Sequence, residues 1–263
     1  MKDLKVTLVQ TSLAWEDIDT NLFSFSQKLA SVEPSSTDLI VLPEMFSTGF
    51  TMNASGVAET MNGKAMEWLA NRASQKKCVI TGSLVIKDED KYYNRLIWMR
   101  SDGTYEFYNK RHTFRMAEEN KTYASGDRKL IVELNGWKIC PMICYDLRFP
   151  VWSRQPQTPE GALYDCLIYV ANWPERRSYA WRHLLIGRAI ENQAYVVGVN
   201  RIGQDGKGID YPGYSVALSP KGEPLSRIID GDAIETVTLS HKNLEDFRRE
   251  FPVALDADKF KIE

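Results

Sequence analysis

The chain has 263 residues, with 33 Lys and Arg set against 35 Asp and Glu, a net charge of -2 with the two signs interspersed. That balance leaves no electrostatic footprint for nucleic acid or an anionic membrane surface, and points to a small molecule or a protein as partner. No run of roughly 18 apolar residues marks a membrane span, and the opening MKDLKVTLVQ lacks the long apolar core of a secretory signal, so a cytoplasmic protein is expected.

In chain order, LKVTLVQ (4–10), DLIVLPE (38–44), CVITGSLVI (78–86), KICPMIC (138–144), CLIYVAN (166–172) and AYVVGVN (194–200) are short Val/Ile/Leu-rich runs, predicted as buried strands. Between several of them, residues 19–31, 64–76 and 179–193 repeat apolar side chains at helical spacing, the last through Trp181, Leu184, Leu185, Arg188 and Ala189. RLIWMRSDGTYEFYNK (95–110) and KLIVELNGWKICPM (129–142) carry Asp-Gly and Asn-Gly between strand-like arms, the short-range signal of a hairpin, and GYSVALSPKGEPLSRII (213–229) reads the same way. Hairpins mixed with strand-helix alternation argue for layered mixed sheets with outer helices rather than a purely parallel sheet. No linker, repeat or low-complexity tract divides the chain, so residues 1–263 are expected to form one domain.

The four cysteines, Cys78, Cys140, Cys144 and Cys166, sit in apolar contexts with no CxxC pair, and read as free thiols. His112, His183 and His241 are the only histidines, which makes a His-rich metal site improbable, and no cofactor is implied. Cys144 stands apart. It closes an apolar run just before YDLRFPVW must turn, so it is either an ordinary buried thiol or a nucleophile displayed at a strand-to-helix elbow. A helix N-terminus there would stabilise a thiolate. No papain-like or caspase-like signature surrounds it, so a base other than histidine is needed. Glu44 ends the run DLIVLPEMF at a strand terminus, where ligand crevices form, and would be partly desolvated among Leu42, Met45 and Phe46, as a general base requires. Lys110 follows the aromatic strand TYEFYN; alone it is a surface lysine, but beside Glu44 and Cys144 it supplies an ammonium for an oxyanion.

Glu44 in LPEMFSTGF, Lys110 in NKRHTF and Cys144 in ICYDLRFP resemble, in order and spacing, the Glu-Lys-Cys triad of the nitrilase superfamily of carbon-nitrogen hydrolases. The likeness runs from VTLVQTSLAWED through ANWPERRSYAWRHLLIGRAIENQAYVVGVNRIG, and KRHTFRMAEEN, CYDLRFP and ANWPERRS look like its omega-amidase branch, which includes 2-oxoglutaramate amidases. The resemblance implies an α/β fold, a four-layer α-β-β-α sandwich with two mixed β-sheets, that pairs through a helical face into a homodimer or higher homo-oligomer. It also implies a second active-site glutamate seven residues before a glycine: Glu119, with Glu118 as the fallback.

By the same resemblance, Glu44 takes the Cys144 proton, Lys110 and the backbone N–H of Tyr145 hold the oxyanion, and the substrate is a small amide whose ω-carboxamide is hydrolysed to acid and ammonia. A substrate α-carboxylate needs a cation, for which Arg177 is the first candidate against a solvent-facing alternative. Arg148 is expected to pair with an acid such as Asp146. Phe46, Phe114 and Trp173 are candidate pocket walls or core residues, as are Met45 and Met116. His112 is expected to orient the lysine loop and His183 to pack on its helix; EDFRREF reads as a solvated helix face, and ALDADKFKIE could reach a partner subunit. The rival readings are an N-carbamoyl hydrolase or a true nitrilase on the same triad, and a catalytically silent interaction protein on this scaffold.

Overall fold

Two mixed sheets form where the apolar runs fall. The computed structural model describes residues 2–158, 161–227, 230–258 and 260. Its strands are β1 (Leu4–Gln10), β2 (Leu39–Val41), β3 (Val79–Asp88), β4 (Lys91–Met99), β5 (Tyr105–Asn109), β6 (Val132–Leu134), β7 (Trp137–Ile143), β8 (Gln157–Thr158), β9 (Gly161–Ala162), β10 (Cys166–Ala171), β11 (Tyr195–Asn200), β12 (Ile202–Gln204), β13 (Asp210–Pro212), β14 (Val216–Leu218) and β15 (Ala233–Leu239). The α-helices are α1 (Ile18–Leu29), α2 (Ala54–Val57), α3 (Lys64–Lys76), α4 (Glu119–Thr122), α5 (Pro150–Ser153), α6 (Ser178–Asn192) and α7 (His241–Glu250).

One sheet has the order β15-β1-β2-β3-β4-β5 and the other β14-β11-β10-β7-β6. Within the two sheets, β1-β2-β3 and β7-β10-β11 pair in parallel, with helices α1, α3 and α6 in the β1-β2, β2-β3 and β10-β11 crossovers; the outer strands join antiparallel, several through hairpins. The period-2 alternation of side chains then sorts the first sheet onto two faces. Leu39, Val41, Leu96 and Trp98 face the second sheet, whereas Ile40, Ile80, Ile97 and Met99 pack with Phe25, Leu29, Leu69 and Ala73 of α1 and α3. On the far side, Trp181 and Leu185 of α6 press on β11 at Gly198, where a Cβ would come within 2.6 Å of the Leu185 side chain. The layers are therefore α-β-β-α. Among the described residues no helix is long and apolar enough to cross a membrane.

Several predicted boundaries move for local reasons. The strand expected over 38–44 leaves the sheet after Val41, because Pro43 has no N–H to donate and Met45 adopts a left-handed φ of 43°. The Asn135-Gly136 turn has positive φ at both residues, as a two-residue hairpin needs, and joins β6 to β7. The hairpin expected over 213–229 reduces to β14 and a single bridge from Leu218 to Pro224, and its last residues, 228–229, lie outside the described residues. Strand β15, antiparallel to β1, and the β12-β13 hairpin were not anticipated. EDFRREF lies on α7, largely solvated, although Arg248 reaches back to Asp165 at 2.7 Å; ALDADKFKIE falls partly outside the described residues.

Candidate active site

Three strand ends carry the residues expected to form the triad. Glu44 lies just beyond β2, Lys110 directly after β5, and Cys144 directly after β7, where it opens a 3-10 turn running to Arg148. Cys144 itself has φ 43°, a left-handed conformation that bulky residues rarely adopt. Asp146 holds this elbow: its carboxylate accepts from the Ile143 N–H at 3.1 Å, the Tyr108 hydroxyl at 2.8 Å and the His112 N–H at 3.0 Å. The His112 ring bonds the same carboxylate at 2.8 Å and stacks on Phe149 with centroids 3.7 Å apart, so the lysine loop and the cysteine elbow are fastened together.

The charged groups meet out of solvent. Lys110 Nζ donates to Glu44 Oε1 at 2.8 Å and to both oxygens of Glu119 at 3.0 Å, and Lys110, Glu44 and Glu119 are all buried. The Phe114 N–H also donates to Glu119, and the Asn172 N–H donates to Glu44 Oε2 at 2.8 Å. Burial pulls the Lys110 ammonium down, but Glu119 and Glu44 outweigh it and raise its pKa. Glu119 is raised, by burial first and by Glu44, against the opposing pull of Lys110. The Cys144 thiol is pushed well above its ordinary value, by burial and then by the Glu44 carboxylate, with Lys110 opposing. Burial therefore favours the thiol form of Cys144 over a standing thiolate.

A cleft of about 210 Å³ opens onto Cys144. Lys110 and Asn172 line its floor, and Phe114, Tyr145, Trp173 and Tyr211 its walls, with Arg148, Arg176, Arg177 and Lys207 toward the mouth. Tyr145 lies in the first turn of the 3-10 helix, where N–H groups have no acceptor inside the helix. The Arg177 guanidinium lies 5.2 Å from the Phe114 ring, and its pKa is lowered by burial and by the like charges of Arg176 and Arg148. Among the described residues none of Arg148, Arg176 and Arg177 forms an ion pair with a carboxylate. Also among the described residues, no group of three or more His, Cys, Asp or Glu side chains is placed to hold a metal ion.

The structure thus brings together Glu44, Lys110, Cys144, Glu119, Tyr145, Arg177, Trp173 and Phe114. Glu118, the fallback glutamate, is exposed and pairs with Lys121. Phe46 does not line the cleft: it lies in the α1/α3 core, its ring 5.5 Å from Phe25 and 5.8 Å from Trp68. Met45 is likewise buried away from the cleft, whereas Met116 lines it. Arg148 does not pair with Asp146, whose oxygens are taken by Tyr108, His112 and the Ile143 N–H; it lies 5.0 Å from the Trp173 ring instead. His183 is exposed, stacked on Tyr179. Sequence reasoning missed Asn94 and Asn172, which hydrogen-bond the carboxylates, and the β12-β13 wall that carries Asp205, Lys207 and Tyr211. Asn94, polar on the inward face of an apolar strand, and Asp205-Gly206, a turn signal, were the available clues.

This fold and this site define a carbon-nitrogen hydrolase. The model of that family, described as carbon-nitrogen hydrolase, matches residues 5–249, and the chain belongs to the family. It is 43% identical over its full length, and the relative's, to a protein of Escherichia coli K12 named omega-amidase YafV. It is 30% identical over 86% of its length, and 87% of the relative's, to a Bacillus subtilis protein named 2-oxoglutaramate amidase. Among solved structures, XC1258 from Xanthomonas campestris, described as a CN-hydrolase superfamily protein with an arsenic adduct in the active site, superposes with a TM-score of 0.98 at 39% identity over the whole of both chains.

Proposed function

We propose that the protein is an omega-amidase, hydrolysing the terminal carboxamide of a small dicarboxylic acid monoamide such as 2-oxoglutaramate to the acid and ammonia. The observation that carries this reading is the buried Lys110 ammonium, shared by Glu44 and Glu119, at the floor of a cleft that reaches Cys144. The relatives' names favour the same substrate class. The mouth arginines, which lack carboxylate partners among the described residues, fit a substrate that brings its own carboxylate.

As Cys144 attacks the amide carbon, its proton passes to Glu44, and the carbonyl oxygen becomes an oxyanion held by Lys110 and the Tyr145 N–H. Collapse expels the amine, which takes the proton from Glu44 and leaves as ammonia. Glu44 next draws a proton from water, whose oxygen attacks the thioester. The second oxyanion collapses to the acid and regenerates the thiol with the Glu44 proton. Glu119 keeps Lys110 charged and aimed. Phe114 and Trp173 wall the substrate chain, and Arg177, with Arg148, holds its carboxylate.

We further propose a cytoplasmic homodimer that pairs through the face carrying α5 and the C-terminal segment, where Val151, Phe251 and Leu255 are exposed; a monomeric sedimentation coefficient would overturn this. The test of function is ammonia release from a panel containing 2-oxoglutaramate, an N-carbamoyl amino acid, a nitrile and a neutral amide. Highest kcat/KM on the ω-amide supports the reading. Preference for the N-carbamoyl compound or the nitrile replaces it with the corresponding hydrolase, and no turnover of any with unlabelled Cys144 indicates a silent scaffold.

A further inference from the structure

Asn94 is a buried polar residue for which the reaction above has no use. It lies on β4, two residues before Leu96 and four before Trp98, so alternation puts it on the same inward face, yet beyond the end of the apolar core. Its Nδ2 donates to Glu44 Oε1 at 2.7 Å and to Glu119 Oε1 at 3.3 Å. Lys110 Nζ donates to those same two oxygens, at 2.8 and 3.0 Å. A charged and a neutral donor therefore face one another across one oxygen from each carboxylate. Only one amide orientation serves this arrangement, since the reversed one would turn Oδ1 against two carboxylate oxygens. Asn94 Oδ1 has no hydrogen-bond partner among the described residues, which shows that the carboxylates dictate the orientation. The Asn94 backbone carbonyl also accepts from the Lys110 N–H at 3.0 Å, so the same residue fixes where the lysine leaves its strand.

We propose that Asn94 is a positioning residue that sets the base strength of Glu44 and holds Glu44 and Glu119 together on Lys110. Two like charges around one ammonium repel, and a neutral N–H₂ bridging them offsets that repulsion without adding charge. During the reaction Lys110 must also serve the oxyanion, and Asn94 then keeps Glu44 from swinging away as the lysine's attention is divided. The titratable groups that act on Glu44 are Lys110, Glu119, Cys144 and, more weakly, Tyr123 and Tyr211; none of them is a neutral bridge between the two carboxylates. A donor to a carboxylate favours its charged form. Removing it raises the proton affinity of Glu44, and activity is lost at a higher pH as the solution is acidified.

This inference rests on the reading of Glu44 as base to Cys144, and two measurements keep the two apart. The first is the pH dependence of iodoacetamide labelling at Cys144, which needs no substrate; the second is kcat/KM for 2-oxoglutaramate across the same pH range. In Asn94→Ala the acid limb of both profiles should move up by about one pH unit, the scale of one hydrogen bond to a charged group. At neutral pH kcat should fall about 10-fold or more with little change in KM. Asn94→Ser, neutral and smaller, adds no buried charge and so is a safeguard against loss of folding; its hydroxyl is too short to bridge the two carboxylates, and both limbs should move in the same direction as in Asn94→Ala. Profiles that superimpose on wild type in either folded variant, or a uniform loss at every pH, overturn the proposal. Shifted labelling without turnover of the ω-amide by any form leaves Asn94 in its role and overturns the substrate instead.

Discussion

The two ends of the cleft are built on opposite rules. At the floor, the buried Lys110 ammonium is held from beneath by the buried carboxylates of Glu44 and Glu119 through hydrogen bonds of 2.8–3.0 Å, so this charged cluster is already assembled. At the mouth, Arg148 and Arg176 are exposed, Arg177 is half-buried, and the cations repel one another. On the proposed function, that contrast separates chemistry from recognition: the floor holds its own charge partners, and the mouth arginines are to be completed by the substrate carboxylate. The Tyr211 hydroxyl and the Lys207 and Ile209 N–H groups occupy Asp205, the one acid lining the cleft among the described residues, which keeps it from neutralising the arginines.

The largest effect should follow from breaking the floor at the nucleophile. Cys144→Ala should lower kcat on the order of 10⁴-fold or more while thermal unfolding stays near wild type, read by ammonia release and calorimetry. Cys144→Ser should fall nearly as far, because a hydroxyl is a poorer nucleophile with the same base. Lys110→Gln should cost on the order of 10²-fold or more in kcat, the scale of losing an oxyanion donor. It should also destabilise the fold, because it leaves Glu44 and Glu119 buried without their cation. A change confined to KM would make Lys110 a binding group.

Breaking the mouth should be milder and selective. Arg177→Met should weaken kcat/KM for 2-oxoglutaramate by about 10- to 10³-fold, as expected for a charge-assisted contact. Smallest of all should be the other thiols. Burial pushes Cys78, Cys140 and Cys166 up, and each should resist alkylation and tolerate Ala with turnover intact and a stability loss of about 1 kcal/mol.

How legible these features were in the sequence follows the same division. The strand ends near Glu44, Lys110 and Cys144 were readable from the residue pattern, but that pattern left Cys144 and Lys110 open between structural and chemical readings, and the family resemblance supplied the triad and Glu119. Phe46 was misread because an aromatic two residues past Glu44 can face either layer, and the left-handed Met45 between them turns it into the α1/α3 core. Arg148 was paired with its neighbour Asp146 on proximity in sequence, whereas the elbow turns that carboxylate inward to Tyr108 and His112 and leaves the guanidinium over Trp173. The bonds from Asn94 to Glu44 and Glu119 join distant segments, which no local pattern encodes, whereas the β12-β13 hairpin is local and its Asp205-Gly206 turn signal was passed over.

The most direct test is a paired one: kcat/KM for 2-oxoglutaramate and for a neutral amide of equal length that lacks the carboxylate, on Lys110→Gln and Arg177→Met. Ratios to wild type cancel general damage to the fold. The expected result is that Lys110→Gln loses activity on both substrates by the same factor, while Arg177→Met loses it on the charged substrate and leaves the neutral one almost unchanged. Equal losses on both substrates in Arg177→Met, or a loss confined to the charged substrate in Lys110→Gln, would contradict the division of the cleft into a catalytic floor and a recognising mouth.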